Sequence, residues 1–76
     1  MADELPRVVA ATFGMTSEPD LSMGPAQIPG WDSLGALRLL LALEETFAVT
    51  LNQEAMMKAK TVADLVTALE KATAAG

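Results

Sequence analysis

The sequence predicts an all-α fold, and three observations support this prediction. Strong helix formers are abundant, with 14 Ala and 11 Leu among 76 residues, whereas the β-branched Val and Ile together number only 6. Apolar residues recur at helical spacing in several segments. A chain of this length buries only roughly 60–65% of its unfolded surface, which leaves room for one core. We therefore expect a single domain over residues 1–76.

The first helix is predicted over roughly residues 3–13. Its apolar stripe occupies positions i, i+3, i+4 and i+8: Leu5, Val8, Val9 and Phe13. Asp3 is the expected N-cap, and Pro6 suits the first turn because its missing N–H leaves no helical bond unmade. Gly14 supplies the permissive residue just after the helix.

A long loop is predicted over residues 15–31. Three prolines and two glycines interrupt any regular element there: Pro19, Pro25, Pro29, Gly24 and Gly30. Four apolar residues are expected to attach the loop to the core: Met15, Leu21, Met23 and Ile28. We therefore expect an ordered crossover, and loops of this length are often functional.

The second helix is predicted over residues 32–47, with Asp32 as its N-cap. Its apolar residues form two adjacent stripes. One stripe contains Leu34, Leu37 and Leu41, and the other contains Ala36, Leu40, Leu43 and Phe47. Two stripes imply broad burial. The exposed residues should be mainly Arg38 and Glu45, with Gly35 and Ala42.

Two further helices follow. A short helix is predicted from Asn52 through Lys58, with Ala55 and Met56 facing inward. Thr61 opens the last helix, where Thr61-x-x-Asp64 has the spacing of a capping box. The apolar stripe of this helix consists of Val62, Leu65, Val66 and Leu69.

The composition excludes several function classes. There is no Cys and no His, so neither a disulfide framework nor a Ser-His-Asp hydrolase can form, and no metal site is expected. The net charge of −5 argues against binding nucleic acid or anionic membranes and favours basic protein partners. We expect no signal peptide, because the first residues lack a positively charged region, and the longest apolar run, residues 39–43, is too short to span a bilayer. We expect a cytoplasmic protein that is not an enzyme.

Ser33 is the candidate functional residue, because it lies in the first turn of the second helix directly after the long loop. Backbone N–H groups without an intrahelical partner, together with the helix dipole, favour a phosphate at that position. The alternative is that Asp32 and Ser33 only cap the helix.

The segment GWDSLGALRLLLALEETF resembles the modification site and second helix of acyl carrier proteins. The resemblance implies a four-helix bundle with a long loop between helices 1 and 2 and a short third helix. It also implies that Ser33 carries 4'-phosphopantetheine covalently, beside Asp32 and Leu34, and that the thiol of this arm carries acyl groups as thioesters. Zero Cys is consistent with a reactive sulfur that belongs to the cofactor.

The resemblance also implies the partners. A phosphopantetheinyl transferase would modify Ser33, and acyl-loading and acyl-processing enzymes with basic patches would dock on a monomeric carrier. The residues expected to contact these enzymes are Trp31, Leu34, Arg38, Glu44 and Glu45. The alternative for Trp31 is that it anchors the loop on the core. The alternative for Glu44 and Glu45 is that they only form a solvated helix face.

Departures from the fatty-acid type of carrier are informative. Gly35 and Arg38 stand where that type usually has acidic residues, and Glu54 is the only acid in the third helix. We therefore expect a discrete carrier of a secondary-metabolite or modified-lipid pathway. The alternatives are a peptidyl or aminoacyl carrier and a cofactor-free acidic interaction module. The Gly-Asp-Ser-Leu esterase motif does not fit, because Trp31 interrupts it and no His is present to activate the serine.

Overall fold

The computed structural model describes residues 2–75, within which all regular structure is helical, as predicted. A 3-10 turn, Ala2–Glu4, precedes four α-helices. These are α1 (Leu5–Phe13), α2 (Ser33–Phe47), α3 (Gln53–Lys58) and α4 (Val62–Ala75). Helix α2 packs against α1 and α3, and α4 packs against the same two helices. The order of the helices, the long first loop and the short third helix all confirm the predicted bundle.

The start of α1 differs from the prediction, whereas its end agrees. Asp3 is not the N-cap, because it lies in the 3-10 turn and the α-helix begins two residues later, after Glu4, which makes no side-chain cap bond. Such turns are frequent at α-helix ends. Pro6 lies in the first turn, and Gly14 ends the helix in the left-handed conformation at φ 65°.

Helix α2 is buried less broadly than its two adjacent stripes predicted. Its buried face contains Gly35, Ala36, Leu39, Leu40 and Leu43, which pack towards the other helices. Leu34 and Leu41, predicted to be buried, are 60% and 61% exposed. The third member of that stripe, Leu37, is half-buried and packs against the core. The physical reason is that the neighbouring helices cover one face of α2, so Leu34 and Leu41 lie beyond the covered face. Gly35, predicted to be exposed, is buried.

The caps of α3 and α4 follow the predictions. Asn52 Oδ1 accepts a hydrogen bond from Ala55 N at 3.0 Å. Thr61 Oγ1 accepts from Asp64 N at 3.3 Å and Asp64 Oδ2 accepts from Thr61 N at 3.2 Å, which completes the capping box. Met56 is buried as expected, but Ala55 is exposed. In a six-residue helix that makes less than two full turns, Met56 covers the core and its neighbour turns away.

The long loop is ordered through both side chains and backbone. Ile28 is fully buried, and Met15 and Met23 pack against the core. The prediction that the Leu21 side chain attaches the loop to the core is wrong, because this side chain is 50% exposed. The carbonyl of Leu21 instead accepts from Ala63 N at 2.9 Å, and that of Met23 accepts from Val62 N at 2.9 Å. The loop therefore binds the first turn of α4.

One hydrophobic cluster joins all four helices and the loop. Its fully buried members include Leu5, Ile28, Leu39, Met56 and Leu65. Within residues 2–75, none of the helices has the length and hydropathy that crossing a bilayer requires.

Candidate functional site

Ser33 is exposed and is the first residue of α2. The helix begins there because Asp32 has an extended backbone, at φ −114° and ψ −164°, and its Oδ1 accepts from Gly35 N at 2.8 Å. The N–H groups of the first turn have no intrahelical acceptor. Since Asp32 takes the N–H of Gly35, those of Ser33 and Leu34 point out of the helix end, where the dipole favours a negative charge.

The turn before Ser33 is held by Gly30 and Trp31. Gly30 has a φ of 92°, a conformation that glycine adopts without strain, and its carbonyl accepts from Asp32 N at 3.0 Å. Trp31 is only 5% exposed and stacks on Phe13 with ring centroids 6.3 Å apart. Trp31 therefore anchors the loop, as in the alternative role considered for it, and offers little of its ring to a partner.

Gly35 lies under this turn. A Cβ at Gly35 would collide with the carbonyl oxygen of Gly30 and would lie 2.9 Å from Phe13 Cε1. An acidic side chain has no room there, which explains physically why this position departs from the acidic pattern of fatty-acid carriers. The sequence contained no signal for this contact beyond the glycine itself.

A cleft of about 150 Å³ opens beside Ser33. Its walls come from the loop, from α2 and from the end of α3, and they are formed by Pro25, Trp31, Asp32, Ser33, Ala36, Met57 and Ala59. Most of these side chains are apolar. The cleft can accommodate part of a flexible chain attached at Ser33. Sequence reasoning missed Pro25, Met57 and Ala59, because three separate segments bring them together.

The other predicted contact residues separate into two groups. Leu34, Arg38 and Glu45 are exposed on α2. Glu44 is half-buried, and its Oε2 accepts from Leu51 N at 2.8 Å, so this carboxylate holds the connection to α3. Among the residues that the structure describes, the outward face of α2 thus carries the cation of Arg38 and the anion of Glu45 between apolar side chains.

Chemically, the site presents a hydroxyl, and the carboxylate beside it, Asp32, is engaged as the helix cap through its bond from Gly35 N. The chain has neither His nor Cys, and within residues 2–75 no cluster of carboxylates is arranged to hold a metal ion. The serine is suited to modification by another enzyme rather than to attack on a substrate of its own.

Comparison with protein families shows what kind of domain this is. A family model described as a phosphopantetheine attachment site matches residues 30–69, more than half of the chain. The chain belongs to this family. The match confirms the resemblance to acyl carrier proteins and shows a carrier domain with covalently attached 4'-phosphopantetheine, which is not an enzyme and not a cofactor-free module.

The carrier interacts in general with phosphopantetheinyl transferases and acyl-handling enzymes. Comparison with curated proteins and with solved structures gave no match. The exposed serine, the free N–H groups and the adjoining cleft fit the phosphopantetheine arm, whose thiol supplies the thioester chemistry when it is attached.

Proposed function

We propose that Ser33 is the attachment residue and that residues 1–76 act as one acyl-carrier domain. The observation that carries this proposal is that Ser33 is the single serine in the matched segment 30–69. Its exposed position at the first turn of α2 supports the same assignment. Asp32 orders the turn, and Leu34 borders the serine on the outward face.

The chemistry at Ser33 is a transfer from coenzyme A. A base on the transferase takes the hydroxyl proton, the Oγ–P bond forms, and the P–O bond to the adenosine bisphosphate half of coenzyme A breaks. The resulting phosphodiester carries a negative charge, which the N–H groups of Ser33 and Leu34 and the helix dipole stabilise. Tethering the cargo then raises its effective concentration at each enzyme that docks.

We also propose a specialised pathway for this carrier, either secondary-metabolite or modified-lipid synthesis. The support is the outward face of α2, where Leu34 and Leu41 are exposed and the free charges of Arg38 and Glu45 cancel. A partner selected for an all-acidic helix gains little attraction from this face. The fitting partners present an apolar surface, with a basic group for Glu45 and an acidic group for Arg38.

The experiment that tests the attachment site is an intact-mass measurement after incubation with coenzyme A and a broad-specificity phosphopantetheinyl transferase. We expect the wild type to gain one phosphopantetheinyl group and Ser33→Ala to gain none. Ser22→Ala is the matched control, because Ser22 is also exposed but lies in the long loop, outside residues 30–69. Modification of folded Ser33→Ala, or its loss in Ser22→Ala, would contradict the assignment.

A further inference from the structure

The first turn of α2 contains a glycine that is tightly covered. Glycine is a poor helix former, so a glycine at this point calls for a structural reason. The reason is the close approach of the preceding turn. A Cβ on Gly35 would collide with the carbonyl oxygen of Gly30, and it would lie 3.1 Å from the carbonyl carbon and 2.9 Å from Phe13 Cε1.

The same carbonyl group organises the residues around Ser33. Gly30 O accepts from Asp32 N at 3.0 Å, and Asp32 Oδ1 accepts from Gly35 N at 2.8 Å. The backbones of Gly30 and Gly35 are therefore in contact with each other, and Asp32 is hydrogen-bonded to both. Ser33 lies in the short stretch of chain between these two glycines, so its backbone position depends on their contact.

We infer that Gly35 is a positioning residue for the transfer of phosphopantetheine to Ser33, an inference that rests on the proposed attachment at Ser33. With a side chain at position 35, the Gly30 carbonyl must move away from α2, and the turn that carries Ser33 moves with it. In-line attack on phosphorus is sensitive to shifts of about 1 Å in the attacking oxygen. The exposed side chains further along α2, Arg38 and Glu45, keep their positions, so docking is conserved while the chemical step is slowed.

The test compares Gly35→Ala with Gly14→Ala. Gly14 has a φ of 65° and nothing within 4 Å of a built Cβ, so a residue there strains the backbone at the end of α1 without crowding a neighbour. Transfer kinetics are followed by intact mass, well below both melting temperatures. We expect Gly35→Ala to lower kcat by about tenfold or more with KM for the carrier little changed. We expect Gly14→Ala to lower the melting temperature and leave both constants near wild type.

A spectroscopic measurement supplements the kinetics. Trp31 is the chain's one tryptophan, and it is buried beside the Gly30 turn. We expect Gly35→Ala to shift its emission to the red and to increase its quenching by acrylamide, whereas Gly14→Ala should change neither. Circular dichroism is used to check that both variants are helical.

The outcomes are separable. A folded Gly35→Ala with wild-type kcat, or an equal loss of kcat in Gly14→Ala, overturns the inference. If Gly35→Ala does not fold, the test uses Phe13→Leu instead, because this substitution loosens the Gly30 turn from the α1 side. An unchanged kcat for transfer to Phe13→Leu then overturns the inference as well. A wild-type protein that accepts no phosphopantetheinyl group refutes the attachment at Ser33 instead.

Discussion

Replacing Asp32 with Ala should destabilise the fold more than a typical N-cap substitution. Such substitutions cost about 0.5–2 kcal/mol, and about 1 kcal/mol is usual. The donor lost here is Gly35 N, which bonds Asp32 Oδ1 at 2.8 Å and belongs to a buried residue. Water reaches this N–H poorly once its acceptor is gone, so we expect the upper end of the range, about 2 kcal/mol.

Asp32→Asn separates the hydrogen bond from the charge. Asn keeps an acceptor oxygen and loses only the interaction of the carboxylate with the helix dipole, about 0.3–1 kcal/mol. Because 1 kcal/mol shifts the melting temperature of a domain this size by about 4–8 °C, we expect a decrease of about 8–16 °C for Ala and at most about 8 °C for Asn. Thermal melts followed by circular dichroism measure both. Equal decreases for the two variants would refute the assignment of the loss to the Gly35 N–H.

Three further perturbations follow from burial and charge. Glu44→Ala should lower the free energy of unfolding, measured with urea, by about 1–3 kcal/mol because it leaves a loop N–H without its acceptor. Glu45→Ala should change it by no more than about 0.5 kcal/mol, and equal losses would contradict the internal role of Glu44. Leu39→Ala should cost about 2–5 kcal/mol, against less than about 0.5 kcal/mol for the exposed Leu41→Ala, and a similar cost for both would contradict the orientation of α2. Arg38→Glu should make the face of α2 more acidic and so raise the rate at which a fatty-acid-synthase malonyltransferase loads the holo carrier about fivefold, equivalent to about 1 kcal/mol. No increase over wild type would count against the specialised pathway.

The helix ends were predictable from sequence where the rule is local. Asp32, Asn52 and the pair Thr61 and Asp64 each bond a backbone N–H three residues away, so the residue type and the spacing contain the whole interaction. The same locality made Ser33 a candidate for carrying a phosphate group, since the argument needed only its place at a helix N-terminus.

Several of the errors came from contacts that residue type and helical period do not encode. Periodicity placed Leu34 and Leu41 on an apolar stripe, but it does not state how many helices flank that stripe. Gly35 is buried by a backbone carbonyl, and Leu21 attaches the loop through its own carbonyl. Every residue has a carbonyl, so the residue that supplies it marks neither contact in the sequence, and only the glycine at position 35 points to the first.

The hydrogen bonds from α4 to the long loop couple the folding of these two segments. Val62 N and Ala63 N are bonded to Met23 and Leu21, roughly 40 residues away in the sequence, and pairings of such range slow folding because a large loop must close first. The first turn of α4 therefore gains two of its backbone acceptors only when the loop is in place. The segment that the family model matches, residues 30–69, does not include these two acceptors, the carbonyls of Leu21 and Met23. The chain before residue 30 thus contributes to the cooperativity of the carrier's unfolding, although it lies outside the segment that the family model matches.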